Sequence, residues 1–410
     1  MNTLGIIILI AMAAEFVLNL LLNILNLVNS KKPVPEELND IFDAEEYTKS
    51  QQYTRHKTLL ELVTGGFMLM ITWVFWLTGG FNYLDLLLRE LTTQPILLGL
   101  IYCLTLLVAS TLISLPFSIF ATFVTEQKFG FNKTTVKTFV GDQIKSLMLT
   151  VILFGLLLSI VLVIFEYSSY AWLVCWLAVT IFTISITFIA PAWIMPLFNK
   201  FTPLENNKLR TRIENYAANV NFKFKNIFII DGSKRSSHSN AFFTGFGSTK
   251  RIALFDTLIK EHSDDEILAI LGHEIGHYKL KHIHMSTFIG IITTGIIFFI
   301  LSIVIKLDTL YEAFGMDYQS IYSGLIFFSF LYTPVQLLLS ILGQYISRKN
   351  EHSADKWACT NGQDGEVLIS ALKKLSAHNL SNLTPHPAYV FFNYSHPPIK
   401  QRIELIHNLK

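Results

Sequence analysis

Charge is what this 410-residue chain has least of. Only 15% of its residues are Asp, Glu, Lys or Arg, and its mean hydropathy is +0.45. That balance excludes an ordinary soluble enzyme and fits a chain that crosses a membrane several times. Cysteine is scarce too. Cys103, Cys175 and Cys359 lie far apart with no C-x-x-C pair, so no disulfide scaffold is implied. Two of them fall in apolar stretches, where the thiol behaves as a small apolar group. A net charge of +2 offers nothing to a nucleic acid, which is excluded as a partner. Internal repeats and low-complexity tracts are absent. The 33 phenylalanines are the ordinary lipid-facing and core content of such a chain.

Long apolar runs are what the chain has instead. Seven can cross about 30 Å of hydrocarbon: residues 4–27, 59–77, 96–120, 147–165, 170–198, 286–305 and 321–346. The first lacks a basic flank and is too long for a signal peptide, so it reads as a retained helix. Basic residues alternate between the loops. Lys31, Lys32, Lys49, Arg55 and Lys57 follow the first span, but only Arg89 follows the second. Lys128, Lys133, Lys137 and Lys145 follow the third, none follows the fourth, and Lys306 alone follows the sixth. This asymmetry places the N-terminus outside and the C-terminus in the cytoplasm.

Two polar regions, 199–285 and 347–410, are long enough to fold outside the bilayer. Both fall on the cytoplasmic side, where spans six and seven bring them together. The expected organisation is spans one to five in 1–198, a first cytoplasmic segment in 199–285, spans six and seven in 286–346, and a second cytoplasmic segment in 347–410. Within the first segment, residues 204–220 have helical periodicity. Ile227 to Ile230 and Ile252 to Phe255 read as short strands, the former closed by an Asp231-Gly232 turn. Ser263-Asp264-Asp265-Glu266 is a helix-start signal, and that helix should run on to His277.

His273-Glu274-Ile275-Gly276-His277 is the stretch that carries chemistry. Residues four apart project from one helical face, so His273 and His277 can hold one metal ion. Zinc lowers the pKa of bound water towards 7, and Glu274 is placed to accept the proton as the water attacks a carbonyl. Such a site needs a third protein ligand. Glu351, just past the end of span seven, is the best candidate, because His273 lies just before span six at the same face. Asp355, four residues on, suits an acceptor for a ligand histidine N–H. Taken alone, Glu351 and Asp355 are equally a solvated acidic face with Arg348 and Lys356.

Other residues remain open at this level. His282 is five residues from His277, off the ligand face, and is expected to make a local hydrogen bond. His352 should point elsewhere, and His378 and His386 read as surface or loop residues. His396-Pro397-Pro398 opens a last helix; a histidine held rigidly there could donate to an oxyanion, with Arg402 helping. Asn240, in Ser239-Asn240-Ala241-Phe242-Phe243, could orient an extended peptide. The plainer reading of that stretch, with Thr244-Gly245-Phe246-Gly247, is a strand and glycine turn.

Taken together, these motifs resemble the Ste24-type CAAX prenyl proteases of the M48 zinc metalloproteases. Phe129-Gly130-Phe131-Asn132-Lys133-Thr134-Thr135 and Pro196-Leu197-Phe198-Asn199-Lys200-Phe201 fit as well, and the resemblance spans nearly the whole chain. It implies a mainly α fold: about seven tilted membrane helices form a chambered barrel, capped by a small cytoplasmic α+β zinc-metalloprotease domain. It implies Zn2+ on His273, His277 and Glu351, with Glu274 as base. His396 and Arg402 would assist the transition state, Asp355 would orient a ligand, and Asn240 would hold the substrate. The substrate implied is a peptide or protein, prenylated at a C-terminal cysteine, that loses its last three residues. His352 stands where these proteins usually have an apolar aromatic, and Tyr278 replaces a frequent tryptophan. The chain is short for a eukaryotic member, which favours a bacterial inner membrane over the endoplasmic reticulum.

Three other readings compete. A quality-control protease of the HtpX kind would be shorter with fewer spans. A site-2-type protease needs an aspartate deep in a later span, and residues 286–305 and 321–346 hold no Asp or Glu. A transporter or receptor would mark its path with ionisable residues; Glu15, Glu61 and Arg89 are scattered with no evident pairing.

Overall fold

The structure, a computed structural model, describes residues 2–40, 43–244 and 250–409. The proposed Gly245–Gly247 turn therefore lies outside the described residues. Helix α1 (Thr3–Asn29) is followed by α2 (Ala44–Leu77), α3 (Gly80–Arg89) and α4 (Pro95–Phe120). The last runs through a π-helical stretch, Ala121–Glu126, into the single turn α5 (Gln127–Phe129). Then come α6 (Val136–Tyr167) and α7 (Ala171–Ile189). The polar segment contributes β1 (Phe201–Pro203), α8 (Lys208–Asn219), β2 (Asn226–Ile230), β3 (Ala241–Thr244), β4 (Arg251–Phe255), α9 (Asp256–Glu261) and α10 (Asp264–Lys279). The chain closes with α11 (His282–Val304), α12 (Asp308–Ala313), α13 (Ile321–Thr360), α14 (Gly365–His378), α15 (Pro387–Asn393) and α16 (Ile399–His407).

Seven of these elements are long and apolar enough to span a membrane: α1, α2, α4 with its continuation, α6, α7 with its continuation, α11 and α13. Each packs on the next in chain order and α13 returns to α1, while α13 also touches α4 and α6. Only 6–22% of the residues in each most apolar stretch are buried. Helices that touch neighbours along such narrow seams leave both an outer and an inner face uncovered, which is a barrel around a chamber and not a packed bundle.

One end of the barrel is plugged. Trp76 stacks on Phe314 at 4.1 Å and Phe314 on Phe327 at 3.8 Å, within a core that includes Ile8, Phe81, Tyr102 and Tyr322. The N-terminus sits at this end, where Asn2 donates to the Thr309 carbonyl at 2.7 Å. Arg89, expected to be unpaired, instead bonds buried Asp85 at 2.6 Å and the Tyr322 hydroxyl at 3.1 Å. A buried carboxylate requires such a partner.

At the opposite end the two polar segments join. The sheet order is β1-β2-β4-β3, with β2 and β4 parallel and the outer pairs antiparallel. Strand β3 is an edge. Helix α10 opens with a capping box: Ser263 accepts from the Glu266 N–H, and Glu266 accepts from the Ser263 N–H at 2.9 Å. Its apolar side, including Ile267 and Leu271, packs into the sheet's core.

Several apolar runs stop short of the helices they belong to. Residues 44–58, read as loop, are the first turns of α2. The boundary drawn at 346/347 falls inside α13, a single 40-residue helix that carries Glu351 and Asp355 straight out of the ring. The boundary at 285/286 likewise falls inside α11.

Candidate metal centre

Helices α10 and α13 cross at close range, which brings the histidines and Glu351 together. Gly276 permits the approach: a Cβ there would stand 3.1 Å from the Ala354 carbonyl oxygen and 3.2 Å from the Trp357 ring. One ligand atom each from His273, His277 and Glu351 lies within 4.8 Å of the others. The two Nε2 atoms face one another at 3.1 Å. Glu351 places Oε2 3.3 Å from His273 Nε2 and Oε1 3.1 Å from His277 Nε2. Glu351 is 4% exposed, and its Oε2 accepts no hydrogen bond from the described residues. A buried orphan carboxylate oxygen is costly unless something else satisfies it. Two imidazole nitrogens and a carboxylate converging on one point are a donor set suited to zinc.

The ligand imidazoles are held from behind. Asp355, wholly buried, accepts from His273 Nδ1 at 2.7 Å, which leaves Nε2 to face the centre. Arg402 in turn donates to Asp355 through Nε at 2.8 Å and Nη2 at 2.6 Å. The free face of acids with Arg348 is ruled out, since Arg348 Nη1 instead donates to the Val390 carbonyl at 3.0 Å and the Tyr394 carbonyl at 2.6 Å. Burial and Arg402 pull the His273 pKa down, but Asp355 and Glu351 outweigh them and raise it to about 9.

His282 was set aside on spacing, and its bond is local as expected, but the partner is a ligand. Its Nδ1 sits 3.0 Å from His277 Nδ1. Helix α10 ends at Lys279, Lys281 takes φ 60, and α11 starts at His282, so the ring swings back towards the centre. With His282 neutral and its proton on Nε2, it accepts the His277 N–H and orients that imidazole.

A cavity of about 690 Å³ opens in front of the centre, within the range of ligand sites. Glu274, His273, Glu351, His396 and Arg402 line it, together with Asn240 and Ala241 at the start of edge strand β3. Burial raises the Glu274 carboxyl above its ordinary value, despite the two imidazoles beside it. His396 is exposed to the cavity, with Nε2 3.4 Å from Glu351 Oε1 and Nδ1 2.8 Å from the Ser395 hydroxyl. Asn240 accepts from the Phe255 N–H at 3.2 Å through its carbonyl, and its side chain is exposed.

The remaining histidines are placed as follows. His378 is no surface residue: it lies in the last turn of α14 and its Nε2 donates to the Ser237 carbonyl at 2.5 Å. His386 caps α15. His352 is half-buried and off the centre. Tyr278 packs edge-on to Phe222 at 5.3 Å, with Lys250 Nζ 3.5 Å from its ring centre.

Residues 23–200 match the N-terminal, five-helix part of the CAAX prenyl proteases, and residues 203–410 match peptidase family M48. The chain belongs to peptidase family M48. Within the family it is 35% identical to the probable CAAX prenyl protease 1 of Schizosaccharomyces pombe, over 92% of this chain and 82% of that one. The CAAX prenyl protease 1 homologues of Arabidopsis thaliana and Homo sapiens are 34% and 32% identical, over 96% and 92% of this chain and 95% and 89% of theirs. The crystal structure of Saccharomyces mikatae Ste24p superposes with a TM-score of 0.94, at 34% identity and covering 99% of both chains. This family member is a multi-pass membrane zinc metalloprotease, and the transporter and HtpX-like readings fall away.

Proposed function

We propose that this protein is an endopeptidase that cuts near the C-terminus of membrane-associated proteins, with prenylated CAAX-type ends as its substrate class. The observation that carries the reading is the convergence of His273, His277 and the orphaned Glu351 oxygen on one point facing a peptide-sized cavity at the polar end of a seven-helix barrel. The substrate class follows from the relatives, which are named CAAX prenyl proteases.

His273, His277 and Glu351 would hold Zn2+. When bound, zinc supplies a Lewis acid that lowers the pKa of water and polarises a carbonyl. Glu274 takes the proton from the attacking water and returns it to the leaving amine, a role suited to a carboxylate whose pKa burial has raised. Asp355 fixes the His273 tautomer. His396 donates to the developing oxyanion from the cavity side. Arg402 assists mainly by bracing Asp355, because Nε and Nη2 are occupied there, while Nη1 stands 3.8 Å from Glu351 Oε2. Asn240 and β3, the outer strand of the sheet among the described residues, hold the substrate in an extended form.

Residues 199–285 and 347–410 act as one metalloprotease domain on the cytoplasmic face, which the alternation of basic loops supports. The chain aligns with 82–95% of the length of its eukaryotic relatives. Its size therefore gives no ground for preferring a bacterial inner membrane over the endoplasmic reticulum.

The test is cleavage of one peptide by purified, zinc-loaded protein, with and without a farnesyl group on its C-terminal cysteine. Cleavage of the farnesylated form alone supports the proposal. Equal cleavage of both would contradict the prenyl preference and leave a general membrane-protein peptidase.

A further inference from the structure

Helix α2 brings a stripe of polar side chains to the cavity wall. Tyr53, Thr54, Lys57, Thr58 and Glu61 all line it, and their spacings of three and four residues stack them on one helical face. Lys57 carries the positive charge of this stripe, which Glu126 feels through space without touching it. Its Nζ lies 5.3 Å from the centre of the Tyr53 ring and forms no ion pair with a described residue. Glu126, close by, is taken: it accepts the Tyr53 hydroxyl at 2.6 Å, and His238 Nε2 stands 3.4 Å from its other oxygen. Glu61, one turn along α2, is not within pairing distance either. Arg402 is the other Lys or Arg lining the cavity among the described residues, and it is committed to Asp355. Thr54 and Thr58 flank Lys57 with hydroxyls that bond no described residue.

We propose that Lys57, with the hydroxyls of Thr54 and Thr58, receives the free C-terminal carboxylate of the substrate. This rests on the reading of the site as an endopeptidase that cuts near a chain end, and it explains how the end is recognised. An ammonium offers three donors to a carboxylate and forms charge-assisted bonds with it. On its flexible stem it is a mobile point charge, so it reads the backbone carboxylate of any last residue. Glu61 beyond it repels a second negative charge, such as an acidic final side chain. The receptor and the metal centre open on the same cavity, so a short peptide can engage both.

The experiment compares two peptides of identical sequence, one ending in a free carboxylate and one in a carboxamide, with zinc-loaded wild type, Lys57→Met and Lys57→Arg. Wild type is expected to prefer the acid by about tenfold or more in kcat/KM, the effect of one charge-assisted pair in a partly wet cavity. Lys57→Met should lose that preference through KM, cleaving the acid and the amide alike, and Lys57→Arg should keep most of it. Zinc per chain and unfolding temperature equal to wild type report an intact fold and metal centre in each variant. A wild type indifferent to the carboxylate, or a Lys57→Met enzyme that retains the preference, overturns the assignment and leaves the endopeptidase reading intact. Cleavage of neither peptide by wild type overturns both.

Discussion

Replacing Asp355 separates two jobs that one buried carboxylate performs. It accepts from His273 Nδ1 and from two nitrogens of Arg402, with no exposure of its own and only 11% of the Arg402 side chain exposed. Asp355→Ala takes away that guanidinium's bidentate partner and leaves it only Glu351, 3.8 Å from Nη1, which costs about 3–5 kcal/mol. It also frees the His273 ring, which lowers metal affinity by about 10–100-fold. Asp355→Asn keeps an acceptor for His273 but not the charge, so stability should fall while metal affinity falls much less. Adding Arg402→Met to Asp355→Ala removes the stranded charge, and the double variant should recover about 2 kcal/mol relative to the sum of the singles. The assays are thermal unfolding in detergent at one fixed scan rate and competition for zinc against a chelator. Strictly additive single and double variants, or equal loss of zinc in the Ala and Asn forms, would refute this division of roles.

Two further outcomes follow from neighbouring groups. His282→Phe removes the acceptor behind His277 and should weaken zinc binding by about 10–100-fold in the same competition assay, with little change in unfolding temperature. Glu266 is held at a pKa of about 2: burial pushes it up, but Lys374, the Ser263 N–H and Ser370 more than offset that. Its folded pKa lies below the ordinary 4.5, so its stabilisation is complete above pH 4.5 and is lost as pH falls towards 2. Lys374 is half-exposed, which limits the effect to about 1–2 kcal/mol. Glu266→Ala should cost about that at pH 7, and a pH series of unfolding temperatures should show the gap to wild type closing below pH 4.5.

Apolar runs revealed the seven spans because each must cover a fixed thickness of hydrocarbon. They did not reveal where the helices end, since α13 continues past Ile346 through polar residues that hydropathy reads as outside the membrane. The His273–His277 pair was legible because one unbroken helix imposes the four-residue spacing. The local bond expected of His282 is there, but its partner was hidden for the same reason: periodicity assumes a continuous helix, and the left-handed Lys281 breaks it. The pairing of Arg89 with Asp85 and Tyr322 spans more than two hundred residues for its second partner, a separation no local pattern encodes. The strand order is equally non-local. Residues 227–230 and 252–255 were recognisable as strands, but three-residue β1 was too short to stand out, and nothing in sequence placed β3 at the edge. Arg402 was found, yet its bracing of Asp355 comes from α16 folding back onto α13.

The most direct test of the central claim joins metal content to activity. Purified wild type and Glu274→Gln would be measured for zinc per chain and for cleavage of the farnesylated peptide. The account predicts one zinc per chain in both, cleavage by wild type, and a loss of about a hundredfold or more in the variant. A variant that cleaves at the wild-type rate, or a wild type that cleaves without binding zinc, would contradict it.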